Sequence, residues 1–134
     1  MASVFKLKYH QKITMSKAVS VYSYSGCTTC KKALKWLEDN KINFSIKDIV
    51  QTPPTKDMLV KAIEQLGSRK DLFNTNGLSY RNLGAKVVQA MNNAEALEAL
   101  LLDGKLIRRP FLISQEGKIL VGFKPDIWTK ILLD

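Results

Sequence analysis

At 134 residues, with 46% hydrophobic and 8% aromatic residues, the chain is long enough to bury one hydrophobic core without crosslinks. No apolar run approaches the roughly 18 residues of a membrane span, and the opening residues lack the apolar core of a secretory signal, so a cytoplasmic address is expected. The net charge of +9 is unevenly placed: no acid precedes Glu38, whereas Lys6, Lys8, Lys12, Lys17, Lys31, Lys32 and Lys35 all do. That asymmetry suits phosphate, an oxyanion, nucleic acid or an acidic protein surface, or else it is a solvated lysine face with no dedicated partner. Arginines are few and no zinc finger, aromatic RNA-binding motif or basic helix is legible, which disfavours specific nucleic-acid recognition.

Residues 1–17 read as a basic extension. Val4, Phe5, Leu7 and Tyr9 have strand-like composition, but lysines punctuate them, and the absence of arginine argues against a transit peptide. The lone histidine, His10, falls in this extension, and the folded unit is expected to span residues 18–134. Residues 19–24 alternate as a strand, and Ser25-Gly26 supplies a turn. Ala33, Leu34 and Leu37 lie at helical spacing within residues 30–40, with Asn40 as the stop, and residues 43–49 form a second strand candidate. This strand-helix-strand unit of about thirty residues is the crossover that parallel pairing requires.

Pro53-Pro54-Thr55 breaks the pattern and opens a helix whose apolar face carries Leu59, Ala62, Ile63 and Leu66, ending at Gly67. Residues 69–89 are choppier and read as short helical pieces joined at residues 74–77 and at Gly84. Asn92 with Glu95 has capping-box spacing, and Ala96, Leu97, Leu100 and Leu101 supply the buried side of the next helix. Residues 106–113 read as one strand and residues 119–123 as its hairpin partner. Pro110, which cannot donate to a central ladder, marks an edge, a strand start or a special bend. Pro125-Asp126 then opens a terminal helix through Trp128. The order satisfies an α/β fold in which a small mixed sheet is covered by helices.

The chemistry concentrates in Tyr24-Ser25-Gly26-Cys27-Thr28-Thr29-Cys30-Lys31-Lys32. Two cysteines and one distant histidine do not make a four-ligand zinc site, so no metal is expected. A disulfide closing so small a loop constrains little of the unfolded chain. On a turn leading into a helix, unpaired backbone donors and nearby lysines favour a thiolate. Cys27 is therefore the candidate nucleophile and Cys30 its resolving partner. The alternatives are two reduced, buried cysteines without chemistry, or a metal site shared between subunits. Arg108 and Arg109 are candidate anion ligands beside Pro110; strand alternation would turn only one towards the thiol, and Arg109 is preferred. Arg69 and Arg81, in the helical block, are further candidates, with a solvated role as the alternative.

The order of four motifs resembles the arsenate reductase ArsC/Spx family, including its YffB-like members. They are residues 24–33, Leu72-Phe73-Asn74-Thr75-Asn76-Gly77-Leu78-Ser79-Tyr80-Arg81-Asn82-Leu83, residues 106–113 around Arg108-Arg109-Pro110, and Val121-Gly122-Phe123. The resemblance implies a thioredoxin- and glutaredoxin-like fold with a helical insertion, Pro110 as the cis proline facing the thiol, Cys27 as the catalytic cysteine and Arg109 as an oxyanion ligand. It implies no tightly bound cofactor, with glutathione, glutaredoxin or thioredoxin as an external reductant; a monomer is the separate expectation for the chain. Two departures stand out. Cys30 matches Spx-like members and some uncharacterised relatives rather than glutathione-dependent reductases, and Asn76 stands where relatives often carry arginine. Three functions follow as expectations: a thiol-dependent oxidoreductase, an Spx-like redox regulator that binds the C-terminal domain of the RNA polymerase alpha subunit, or a non-catalytic thioredoxin-fold scaffold.

Overall fold

The computed structural model describes residues 18–133; the basic extension, with its candidate strand and His10, lies outside the described residues. The sheet has four strands in the order β2-β1-β3-β4. Strand β1 is Val19–Ser23, β2 is Phe44–Asp48, β3 is Phe111–Ser114 and β4 is Ile119–Val121. β1 runs parallel to β2, with Val21 opposite Ile46, and antiparallel to β3, with Tyr22 opposite Phe111. β3 and β4 form an antiparallel hairpin in which Leu112 faces Leu120. The parallel pair is the one joined through a helix, α1 (Thr28–Asp39), because a tight turn cannot connect parallel strands.

The pleat sends alternate residues of the sheet into two separate cores. Val19, Val21, Leu112 and Leu120 pack with Ala33 and Leu37 of α1 and with Trp128 of the terminal helix α6 (Pro125–Leu132). Tyr22, Phe111 and Ile119 point the other way, against Leu59 and Ala62 of α2 (Lys56–Leu66) and Leu97 and Leu100 of α5 (Asn93–Leu102). The result is a thioredoxin-like sheet between α1/α6 on one face and the helical insertion on the other.

Local chemistry explains the insertion's boundaries. Thr55 caps α2 through its side chain, and Gly67 ends it with φ 80, a left-handed conformation that favours glycine. A short 3-10 helix, Arg69–Leu72, leads to residues 74–77 and then to α3 (Leu78–Leu83) and α4 (Ala85–Ala90), which Gly84 separates at φ 97. The Asn92–Glu95 capping box is complete: Glu95 N–H donates to Asn92 Oδ1 at 2.8 Å and Asn92 N–H to Glu95 Oε1 at 2.9 Å.

The expected strand over residues 106–113 is corrected. Gly104–Leu106 is a 3-10 helix, Ile107 makes an isolated bridge with Phe73 of the insertion, and strand pairing begins only at Phe111. The backbone N–H of Arg108 donates to Leu72 O and that of Asn74 to Leu106 O, so this stretch is paired with the insertion rather than with β1. Pro110, with no N–H to offer, stands at the changeover. Its partner strand is likewise shorter than expected and ends at Val121, because Gly122 turns at φ 74.

Candidate active site

Cys27 is the N-cap residue of α1, in extended conformation, with its own N–H donating to Tyr24 O at 3.0 Å. Its Sγ accepts the backbone N–H of Cys30 at 3.2 Å, the place a serine or aspartate oxygen takes in an ordinary cap. The first turn of α1 contains no acidic residue, so nothing competes with the sulfur for the positive end of the helix. Lys31 and Lys32 lie on the exposed side of the same helix.

Cys30 sits one turn further in, only 1% exposed, on the face that also buries Ala33 and Leu37. Both cysteines are free thiols, Cys27 half-buried and Cys30 buried. Burial pushes the Cys30 thiol up to about 11, and the adjacent Cys27 sulfur adds to the rise; the Tyr24 backbone and the Ser23 side chain pull partly in the other direction. Cys30 is therefore a neutral thiol at ordinary pH, held beneath the more accessible Cys27.

The peptide bond between Arg109 and Pro110 is cis. Both Arg108 and Arg109 line the cleft over Cys27, together with Thr29, residues 74–77 and Gly122; its volume is about 420 Å³. The expectation that one arginine turns towards the thiol assumed strand alternation, and that premise does not hold here: residues 107–110 are not in a strand, and both arginines line the cleft. Arg109 Nη1 donates to Lys105 O at 3.1 Å, and its guanidinium stacks over the Tyr24 ring at 4.8 Å from the centroid. Lys105 Nζ approaches the same ring at 6.0 Å. These contacts hold Arg109, and among the described residues no further hydrogen bond takes up the remaining N–H groups of its fork.

The two remaining arginines are placed differently. Arg81 donates to Asn76 O at 2.8 Å, bracing the loop that walls the cleft without lining it. Arg69 donates to Asn93 Oδ1 at 2.9 Å and to Met91 O, and it faces a second cavity within the insertion. Asn76 lines the thiol cleft in its own right. Sequence reasoning passed over Tyr24 and Lys105 as functional residues; the available signal was an aromatic three positions before the candidate nucleophile. Among the described residues, no group of three or more histidine, cysteine or acidic side chains is placed to hold a metal. No helix among them is long and apolar enough to cross a membrane.

The sequence model of the ArsC family matches residues 22–131, from β1 into α6 and through both cysteines and Arg109-Pro110. This chain belongs to the ArsC family. The uncharacterized protein YusI of Bacillus subtilis strain 168 is 40% identical over 111 residues, covering 81% of this chain and 93% of YusI. The global transcriptional regulator Spx 2 of Bacillus anthracis is 28% identical over 116 residues, covering 85% of this chain and 86% of Spx 2. Among solved structures, a possible arsenate reductase from Streptococcus mutans UA159 aligns with a TM-score of 0.72 at 37% identity, covering 79% of this chain and 91% of that one. The ArsC-family fold seen here is therefore shared by proteins described as reductases and by proteins described as regulators.

Proposed function

We propose that this ArsC-family protein is a thiol-dependent oxidoreductase with Cys27 as nucleophile and Cys30 as resolving cysteine. The observation that carries the reading is the placement of Cys27 Sγ: it caps α1, accepts the Cys30 N–H and opens into a cleft lined by two arginines. At that position the sulfur is accessible from the cleft and meets the unpaired backbone donors of the first turn. Cys27 attacks an electrophilic sulfur of a substrate disulfide; the Cys27–substrate bond forms as the substrate S–S bond breaks, and the departing thiolate takes a proton. The Cys30 thiol then loses its proton and attacks Cys27 Sγ, which releases the second substrate thiol and leaves a Cys27–Cys30 disulfide. Two electrons pass to the substrate, and an external dithiol, a redoxin or glutathione returns them.

The protonated state of Cys30 gives this sequence its order. In the resting protein Cys30 holds its proton, so Cys27 reacts first. Once Cys27 is in a mixed disulfide it no longer presents a free thiol sulfur to Cys30, and the part of the Cys30 rise that comes from Cys27 is removed, leaving burial as its cause. Resolution is then easier than in the resting state. Arg109, held by Tyr24 and Lys105, and Arg108 beside it supply the positive charge for an anionic substrate or for an oxyanion.

The test is mass spectrometry of wild type, Cys27→Ser and Cys30→Ser against hydroxyethyl disulfide and arsenate, with glutathione, glutaredoxin or thioredoxin as reductant. The expected result is turnover by wild type, none by Cys27→Ser, and a trapped adduct on Cys27 in Cys30→Ser. Absence of any Cys27 adduct and of turnover across the panel overturns the reading.

The likeness to Spx 2, together with the paired cysteines, favours a second reading: a redox-controlled regulator that binds the C-terminal domain of the RNA polymerase alpha subunit. It predicts saturable binding that changes when Cys27 and Cys30 are oxidised. No binding in either redox state removes it, and failure of both readings leaves a scaffold.

A further inference from the structure

The thiol cleft is large for an oxyanion. A tetrahedral oxyanion displaces only a few waters at about 30 Å³ each, whereas the cleft measures about 420 Å³. A second cavity of about 500 Å³ lies in the helical insertion, and Thr75 lines both. Its walls include the apolar or aromatic side chains of Ile63, Phe73, Tyr80 and Val88, and its rim carries Arg69 and Lys70. Among the described residues that line the two cavities there are four cations, Arg69, Lys70, Arg108 and Arg109, and no carboxylate. The one salt bridge among the described residues, Lys35 with Asp39, is on the exposed face of α1 and involves none of them. Thr75 thus stands between the cleft that holds the Cys27 thiol and the largely apolar chamber, with cations lining both.

We propose that the insertion cavity is the second half of the substrate groove: it takes an apolar side chain of an acidic polypeptide whose disulfide is presented to Cys27. The proposal rests on the thiol-oxidoreductase reading and names its substrate class. Charge selects the partner, because an acidic segment meets four cations and no opposing carboxylate, while a basic one is repelled. The apolar chamber supplies the anchor, as a few desolvated side chains carry most of the energy in such grooves. The redox step is the one written above: the polypeptide disulfide is reduced to two thiols as Cys27 and Cys30 are oxidised to a disulfide.

Two measurements keep the groove and the thiol chemistry separate. Binding is read by fluorescence anisotropy with the full chain and a labelled peptide whose disulfide is replaced by a non-reactive thioether. The peptide is flanked by aspartates, a glutamate and one leucine; a matched peptide carries lysines and serine instead. Wild type is expected to bind the acidic peptide at least tenfold more tightly than the basic one. Val88→Phe, which places a ring in the chamber and narrows it, is expected to weaken the acidic peptide about tenfold, and Lys70→Glu about threefold. Lys70 is exposed, so its variant keeps the test sharp should Val88→Phe misfold. Equal binding of the two peptides overturns the proposal, as does acidic-peptide affinity unmoved by Lys70→Glu. Cys27 adduct formation and turnover across the disulfide and arsenate panel are scored independently: absence of both strikes the thiol reading, and peptide binding that ignores charge and chamber strikes the groove. Equal rates on hydroxyethyl disulfide, glutathione disulfide and the acidic disulfide peptide identify a small-molecule reductase and likewise overturn the proposal.

Discussion

Cys30 ties the redox chemistry to stability, and the link can be measured at alkaline pH. Its thiol is raised from an ordinary 9.0 to about 11, chiefly by burial. Between those two values the unfolded chain has lost this proton while the native protein still binds it. The unfolded state then binds fewer protons than the native state, so stability falls as pH rises. The contribution is fully present below pH 9.0 and is lost as pH climbs towards about 11. At 1.36 kcal/mol for each tenfold change in proton affinity, the loss is on the order of 2–3 kcal/mol.

Lysines also titrate in this range, so the informative quantity is a difference. Urea unfolding of wild type and Cys30→Ala, both under reductant, at pH 7.5, 9, 10 and 11 isolates the thiol. Cys30→Ala is expected to be less stable at pH 7.5 by about 1 kcal/mol, because a buried sulfur is lost. That deficit should shrink above pH 9 and reverse by pH 11, so the two curves cross. Parallel curves across the whole range would refute the argument that burial holds the Cys30 proton. The same protonated thiol predicts that iodoacetamide at pH 7.5 labels Cys27 well before Cys30 in the folded protein, with the difference abolished in urea.

Three further outcomes follow from contacts seen in the fold. Gly104→Ala places a Cβ at 2.1 Å from Ile49 O, a backbone atom that no rotamer change can move, so a loss of about 3 kcal/mol or more is expected in urea unfolding. Asn92→Ala breaks the capping box of α5 and should cost about 1 kcal/mol, while Asn92→Asp retains most of it; equal losses would argue against the cap. Tyr24→Leu removes the ring beneath Arg109 and is expected to raise KM for an anionic disulfide about three- to tenfold, with Tyr24→Phe close to wild type. A Tyr24→Phe variant as impaired as Tyr24→Leu would point to the hydroxyl instead of the ring face.

Much of the architecture is local, and local features are readable in the chain. The capping box at Asn92, the left-handed stop at Gly67, the break at Gly84 and the proline that opens α6 each depend on a few neighbouring residues. The alternation of β1 and the 3.6-residue spacing of Ala33 and Leu37 likewise announce which faces are buried. The placement of Cys27 at the head of α1 follows from the same turn chemistry. Residues 106–110 misled for the opposite reason. Their composition is that of a strand, but Ile107 and Arg108 find their backbone partners in the insertion, more than thirty positions earlier.

The sequence by itself determined a mixed α/β unit, a thiol pair on a helix N-terminus, and an arginine-proline step destined to sit near it. The first two come from periodicity and capping, which are short-range quantities, and the third from the ordered motifs that resemble the ArsC/Spx family. Only the tertiary structure decided that Arg108 and Arg109 both line one cleft with Cys27, that Tyr24 and Lys105 hold Arg109, and that Arg69 belongs to a different chamber. Direction in space is set where the chain leaves regular structure, and there no period tells a side chain which way to point. The folding of the insertion back onto residues 104–108, sealed by Ile49 against Gly104 and by Phe73 against Ile107, is what turns a thiol motif into a cleft.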